Sequence, residues 1–257
     1  MRSFAAGLFS VGALASGLLL SGPAAAEDVK LGIMFGVTGQ VASFVPPLLD
    51  SIKLAVGEVN ADGGLLEGRQ LQTILADTKG TAQGGIDAAT KLVKVDNVAA
   101  IIGALTSAAT IAAAHDVTVP KGVLLISPSA TAPLLTTLED NDFVFRTAPS
   151  DADQGWLLAK LVYRQGFTKV ALTYINNDYG SGIDDTFRDN FENLGGSVTT
   201  ALAHEGDKAS YLQELQQLSQ YSPQVLVLVD FPKSGITIIR KRWRTVCSST
   251  SSEPIHC

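Results

Sequence analysis

Short apolar runs recur along this chain, each closed by a polar loop and followed by a segment with helical spacing. The pattern is densest from Ala99 to Thr131. There Ala99-Ala100-Ile101-Ile102-Gly103 leads into Ala104-Leu105-Thr106-Ser107, and Gly122-Val123-Leu124-Leu125-Ile126 leads into Ser127-Pro128-Ser129-Ala130-Thr131. Neither run alternates with polar residues, which suits strands covered on both faces. In an open parallel sheet such loops lie at the carboxyl edge of the strands, where ligands bind. A helix starting there offers unpaired N–H groups and a positive dipole end to an anion. Ser107, Ser129 and Thr131 are therefore the first candidate binding residues. The competing role for each hydroxyl is to cap a helix.

The same rhythm predicts the other elements. Val29–Phe35 reads as a strand, closed by Gly36-Val37-Thr38-Gly39-Gln40, and Pro46-Pro47 opens a helix to about Asn60. Leu71–Leu75 is a strand and Ala82–Lys94 a helix, followed by the strand–helix–strand stretch above, with its helix from Ser107 to about Val117. After a short extended run, Phe143–Thr147, the connector Ala148-Pro149-Ser150 precedes a second series. That series has helices from Asp153, Ile183 and Tyr211, strands at Val170–Tyr174, Val198–Leu202 and Val225–Val229, and a loop at Asn176–Gly180. Strands alternating with helices at this pitch argue βαβ units around parallel sheets, and the restart at a connector argues a second lobe. The expected division is 27–147 for the first lobe and 148–240 for a partial second one.

The two ends differ from the body. Arg2, the apolar run Phe4–Leu20 and Ala24-Ala25-Ala26 form a secretory signal, 1–26, cut before Glu27. No cysteine stands at the cleavage point for a lipid anchor, so no stable membrane insertion is expected after cleavage. At the other end, Arg240-Lys241-Arg242-Trp243-Arg244 is densely basic, and the serine-rich remainder has no apolar period. The segment 241–257 is expected to be an unstructured, aberrant tail, arising from a shifted reading frame near Lys241.

Composition narrows the chemistry. A net charge of −6 gives nothing to attract nucleic acid. Both cysteines, Cys247 and Cys257, lie in the last eleven residues, so the body of an exported protein must hold without disulfides. His115 and His204 fall in no metal-ligand spacing, and there is no nucleophile elbow, dinucleotide fingerprint or phosphate-binding lysine loop. The expectation is a binding protein with no catalytic residues, no metal and no cofactor.

Several motifs in combination resemble a known family. They are Val29–Ile33, Glu58-Val59-Asn60-Ala61-Asp62-Gly63-Gly64, Ala100–Gly103 with Thr106-Ser107, Ile126–Thr131, Phe145-Arg146-Thr147, Asp153-Gln154-Gly155 and Asp178-Tyr179-Gly180. Over Asp28–Ile239 the chain resembles the type I periplasmic substrate-binding proteins, and within them the leucine/isoleucine/valine-binding family of ABC importers. The resemblance implies an α/β fold of two Rossmann-like lobes with parallel sheets and a hinge, the second incomplete. It implies a small-molecule ligand, ABC permease subunits as partners and a periplasmic location. By the same resemblance, Ser107 and Thr131 receive an amino-acid carboxylate and Ser129 offers a backbone carbonyl to the ammonium. Tyr179 closes from the second lobe, Phe44 contributes an aromatic from the first loop, and Asp230 and Phe231 line the cleft. The family's acidic partner for the ammonium would fall beyond Ile239, which leaves other small carboxylates open as ligands. A ligand sensor of the same fold and an exported hydrolase are the alternative functions.

Overall fold

A computed structural model describes residues 27–65 and 68–248, with side chains through residue 240. The expected signal segment, 1–26, lies outside the described residues. The first sheet contains β1 (Val29–Phe35), β2 (Leu71–Asp77), β3 (Ala100–Gly103), β4 (Leu124–Ser127) and β5 (Val144–Arg146), ordered β2-β1-β3-β4-β5. All its pairings are parallel. The helices α1 (Val45–Ala61), α2 (Ala82–Lys94) and α3 (Ser107–Ala113) connect them. The second sheet holds β6 (Lys169–Ile175), β7 (Ser197–His204) and β8 (Val225–Val229), in the parallel order β7-β6-β8. Around it lie α4 (Asp151–Arg164), α5 (Asp178–Asn193), α6 (Leu212–Ser219) and α7 (Pro232–Ser248).

Each sheet is covered on both faces, which explains the unbroken apolar strands. Successive side chains of a strand point to opposite faces. Met34 therefore packs with Ala89, Leu92, Ile101, Ala109 and Leu125 under α2 and α3. Its neighbours Ile33 and Phe35 pack with Val45 and the partly buried Leu48 and Ile52 of α1. In the second lobe Val170 and Leu172 pack with Ile183, Phe187 and Phe191, and Ala171 with Leu215, Leu218 and Ile238 on the other side.

Strand order fixes where a ligand can sit. The chain passes from β1 outward to β2 and then returns to the other side of β1 as β3. The second sheet turns the same way at β6. Such switch points leave a crevice beyond the carboxyl ends of the strands, where the connecting loops part to opposite faces.

Three elements depart from the reading of the sequence. Helix α4 starts at Asp151, capped by Ser150, whose hydroxyl accepts from the Ala152 N–H; Asp153 is not the cap. The expected loop at Asn176–Gly180 is mostly helix, because the Asn177 side chain accepts from the Tyr179 and Gly180 N–H groups and starts α5 there. Finally, α7 runs on to Ser248, so the first eight residues of the expected unstructured tail are helical. Arginine and lysine are good helix formers, and no proline or glycine interrupts the run before Pro254. Residues 249–257 lie outside the described residues. None of the described helices is long and apolar enough to cross a membrane.

Candidate functional site

The loops at the carboxyl ends of the two sheets enclose a cavity of about 850 Å³. The first lobe lines it with Val41, Ser43 and Phe44 after β1, with Leu105, Thr106 and Ser107 after β3, and with Ser129 and Thr131 after β4. The second lobe adds Gln154, Tyr179, Asp230 and Phe231, and α7 adds Ile236 and Ile239. All seven residues singled out from the sequence (Phe44, Ser107, Ser129, Thr131, Tyr179, Asp230 and Phe231) line this one cavity.

The two hydroxyl loops are stitched together. Ser127 Oγ donates to the Ala104 carbonyl at 2.7 Å, and Ser129 Oγ donates to the Leu105 carbonyl at 2.7 Å. Ser107 Oγ accepts from the backbone N–H of Thr131 at 3.2 Å and of Ala132 at 3.1 Å. Ser107 is not the helix cap. Thr106 is, its side chain accepting from the Ala109 N–H. With both lone pairs of Ser107 Oγ engaged, its O–H proton is left to donate to whatever fills the cavity. Arg146 braces the far side of the same loop, donating from Nη1 to the carbonyls of Thr131 at 3.0 Å and Ala132 at 2.9 Å.

The second lobe contributes an aromatic wall. Tyr179 and Phe231 stack, with ring centroids 5.4 Å apart and planes 18° from parallel. Phe231 also packs against the first-lobe cluster that contains Val41, Val45 and Leu105, so its ring touches both lobes. Burial, with the Asp151 and Asp230 carboxylates nearby, raises the Tyr179 phenol above its ordinary value, leaving a neutral hydroxyl.

Asp151 escaped the reading of the sequence. It is fully buried at the junction of the lobes, where its N–H donates to the Thr131 carbonyl at 2.9 Å and its carbonyl accepts from Thr186 Oγ1 at 3.2 Å. Among the described residues, neither carboxylate oxygen has a well-formed hydrogen bond. Burial pushes this carboxyl up to about 6, against partial relief from the Thr131 hydroxyl and the Arg146 guanidinium. A buried, underpartnered carboxylate behind a cleft is a place for a cation to be stabilised. No sequence signal marks it, because its burial comes from two lobes meeting. Asp230 is the opposite case. It lines the cavity, yet its oxygens are already engaged, accepting from the Phe231 N–H at 2.7 Å, Ser234 Oγ at 2.6 Å and His204 Nε2 at 3.0 Å. Among the described residues, no group of three or more His, Cys, Asp or Glu side chains is placed to hold a metal ion.

The lobes also meet outside the cavity. A side chain at Gly182 on α5 would stand 2.7 Å from Pro133 Cδ of the first lobe, a contact the rigid ring cannot relieve. Gly182→Val is therefore expected to prop the lobes apart. Ligand affinity measured by calorimetry should fall by roughly tenfold, about 1.4 kcal/mol, while the denaturation midpoint of each lobe stays near that of the parent.

Two parallel α/β lobes with a ligand-sized cavity between their carboxyl edges define a two-lobed binding protein. The chain belongs to the periplasmic binding protein family, whose model matches residues 28–242. It is 34% identical over 189 residues to a Leu/Ile/Val-binding protein of Rhizobium johnstonii, covering 72% of this chain and 50% of that protein. It is 31% identical to the Leu/Ile/Val-binding protein of Escherichia coli, covering 67% of this chain and 46% of that one. The chain thus spans about half the length of the curated relatives it matches. Among solved structures, it is similar to the branched-chain amino acid substrate-binding protein LivJ of Streptococcus pneumoniae in complex with isoleucine, with a TM-score of 0.67 and 29% identity, covering 78% of this chain and 56% of that one. The fold is also that of a leucine-binding protein from Thermotoga maritima, with a TM-score of 0.77 and 24% identity, covering 85% of this chain and 61% of the other.

Proposed function

We propose that this chain is the exported, ligand-capturing part of an ABC importer, holding a branched-chain amino acid or a related small carboxylate between its lobes. One observation carries this reading: two hydroxyl loops of one lobe and an aromatic pair of the other face the same apolar-walled cavity. The ligand's carboxylate would take the Ser107 and Thr131 hydroxyls and the first N–H groups beyond β3. Neutral donors suffice here, because hydrogen bonds to a charged acceptor are stronger than those between neutral groups. The ammonium would take the Ser129 carbonyl, which accepts no backbone hydrogen bond among the described residues, with the Asp151 charge behind Thr131 favouring a cation. An aliphatic side chain would lie among Phe44, Leu105, Phe231 and Ile236. The second lobe closes over the bound ligand because only the closed state makes both sets of contacts, and a permease would read that state. The names of the relatives support the amino acid, and no catalytic step is part of this reading.

A thermal-shift panel of L-leucine, L-isoleucine, L-valine, benzoate and acetate tests it. At a hundred times the dissociation constant, binding adds about 2.7 kcal/mol, worth roughly 5–10 °C for a chain of this size. A rise with a branched-chain amino acid and none with acetate is expected. A flat response to all five would reject the reading.

A further inference from the structure

His204 takes no part in the ligand contacts above, yet its side chain is fully enclosed beside the cleft. It ends β7, while Asp230 directly follows β8, and the two strands flank β6. Parallel pairing brings both residues to one sheet edge. The side chains of His204 and Asp230 are 0% and 2% exposed. An ionised carboxylate only accepts, so His204 Nε2–H donates to Asp230 Oδ2 at 3.0 Å. The other ring nitrogen is held 2.8 Å from Thr173 Oγ1 on the central strand β6. Tyr211 packs edge-on against the imidazole at 5.4 Å, and its hydroxyl donates to the Glu205 carbonyl. The imidazole is thus fixed from three sides, by two strands and by the start of α6.

What this fixed ring holds is the turn that carries Phe231. Asp230 Oδ1 accepts from the Phe231 N–H at 2.7 Å and from Ser234 Oγ at 2.6 Å, so one carboxylate pins both the turn and the first residues of α7. With His204 on Oδ2, the carboxylate cannot rotate without breaking three bonds at once. Phe231 in turn stacks on Tyr179 and packs against the first-lobe cluster that contains Val41 and Leu105. The aromatic ring of this turn, which lines the cavity, is therefore placed by a hydrogen-bond chain rooted in β6. A buried carboxylate carrying three donors is costly to disturb, because removing one donor leaves part of the charge unpaired.

We infer that His204 is a positioning residue for the cleft: through Asp230 it sets where Phe231 stands, and so how tightly the lobes close on a ligand. The structural half of this inference needs no ligand. The affinity half rests on the reading that the cleft takes a small amino acid.

The test uses the full chain, with His204→Leu, His204→Gln, Phe231→Ala and the double variant His204→Leu/Phe231→Ala. Without ligand, nuclear Overhauser contacts between the Tyr179 and Phe231 rings are read in each. The parent and His204→Gln, whose amide can still donate to Asp230, should keep them, and His204→Leu should lose them. With L-leucine as the probe, His204→Leu should bind roughly tenfold more weakly and His204→Gln within about threefold of the parent. The double variant should bind no more weakly than Phe231→Ala alone, because one residue acts through the other. Ring contacts that persist in His204→Leu, or affinity losses that simply add in the double variant, would overturn the inference. No L-leucine binding by the parent would count against the proposed function alone, since the ring contacts are measured without ligand.

Discussion

Ser107→Ala is expected to weaken both the protein and its binding, and the two losses can be separated. The hydroxyl is the acceptor for two backbone N–H groups, those of Thr131 and the buried Ala132. Leaving buried donors unpaired costs about 1–3 kcal/mol each, so a stability loss of about 2–3 kcal/mol is expected in a denaturant melt. A capping serine would cost only about 1 kcal/mol. Thr81, which caps α2 away from the cavity by accepting from the Gly84 N–H at 3.0 Å, is the control. Thr81→Ala should lose about 1 kcal/mol and no affinity. Ser107→Ala should also lose a donor to the ligand's charge, worth roughly 1.5–3 kcal/mol or a ten- to hundredfold loss of affinity. Thr131→Ala keeps its backbone N–H but removes the hydroxyl that partly relieves Asp151, so it should show the affinity loss with a smaller stability loss than Ser107→Ala. Unchanged affinity in both variants would place the ligand elsewhere.

Asp151→Asn is expected to make the empty protein more stable and the binding site worse. The folded carboxyl titrates near 6, against an ordinary value of 3.8. The folded state therefore holds its proton more tightly than the unfolded chain. Stability falls as pH rises through that window and is constant above it. The shift caps the loss at about 3 kcal/mol; water in the adjoining cleft screens the charge, so about 1–2 kcal/mol is expected. Asn carries no charge, so the variant should gain that amount at pH 7.5 and show a flatter stability profile between pH 4 and 6. Its affinity for L-leucine should drop, while that for 4-methylpentanoate, which has no ammonium, should not. A variant less stable than its parent at pH 7.5, or an equal loss for both ligands, would show that Asp151 is not a counter-charge to a cation.

The parts of the molecule legible in its sequence are those set by local chemistry. Unbroken runs such as Ile101-Ile102 and Leu124-Leu125-Ile126 read as covered strands because both faces of each sheet carry helices. The hydroxyl loops read as site loops because parallel strands all deliver their ends to one edge. One misreading missed a local cap, and the others come from tertiary context. Gly180-Ser181-Gly182 looks too rich in glycine for a helix start, yet the Asn177 cap starts α5 there and Gly182 lets Pro133 approach. Asp151 is two residues before Asp153, the expected helix cap, and nothing in its neighbours announces that two lobes bury it. His204 and Asp230 are 26 residues apart and meet only because β7 and β8 flank β6. Such pairs are fixed by topology, which no local pattern encodes.

In the proposed function, one small ligand joins the two lobes at their facing loops. Amide chemical shifts of the 15N-labelled chain, recorded during titration with L-leucine, test it most directly. Saturable changes are expected at Ser107, Thr131 and Ala132 in one lobe and, with the same dissociation constant, at Tyr179 and Phe231 in the other. Changes confined to one lobe, or lying away from these loops, would contradict it.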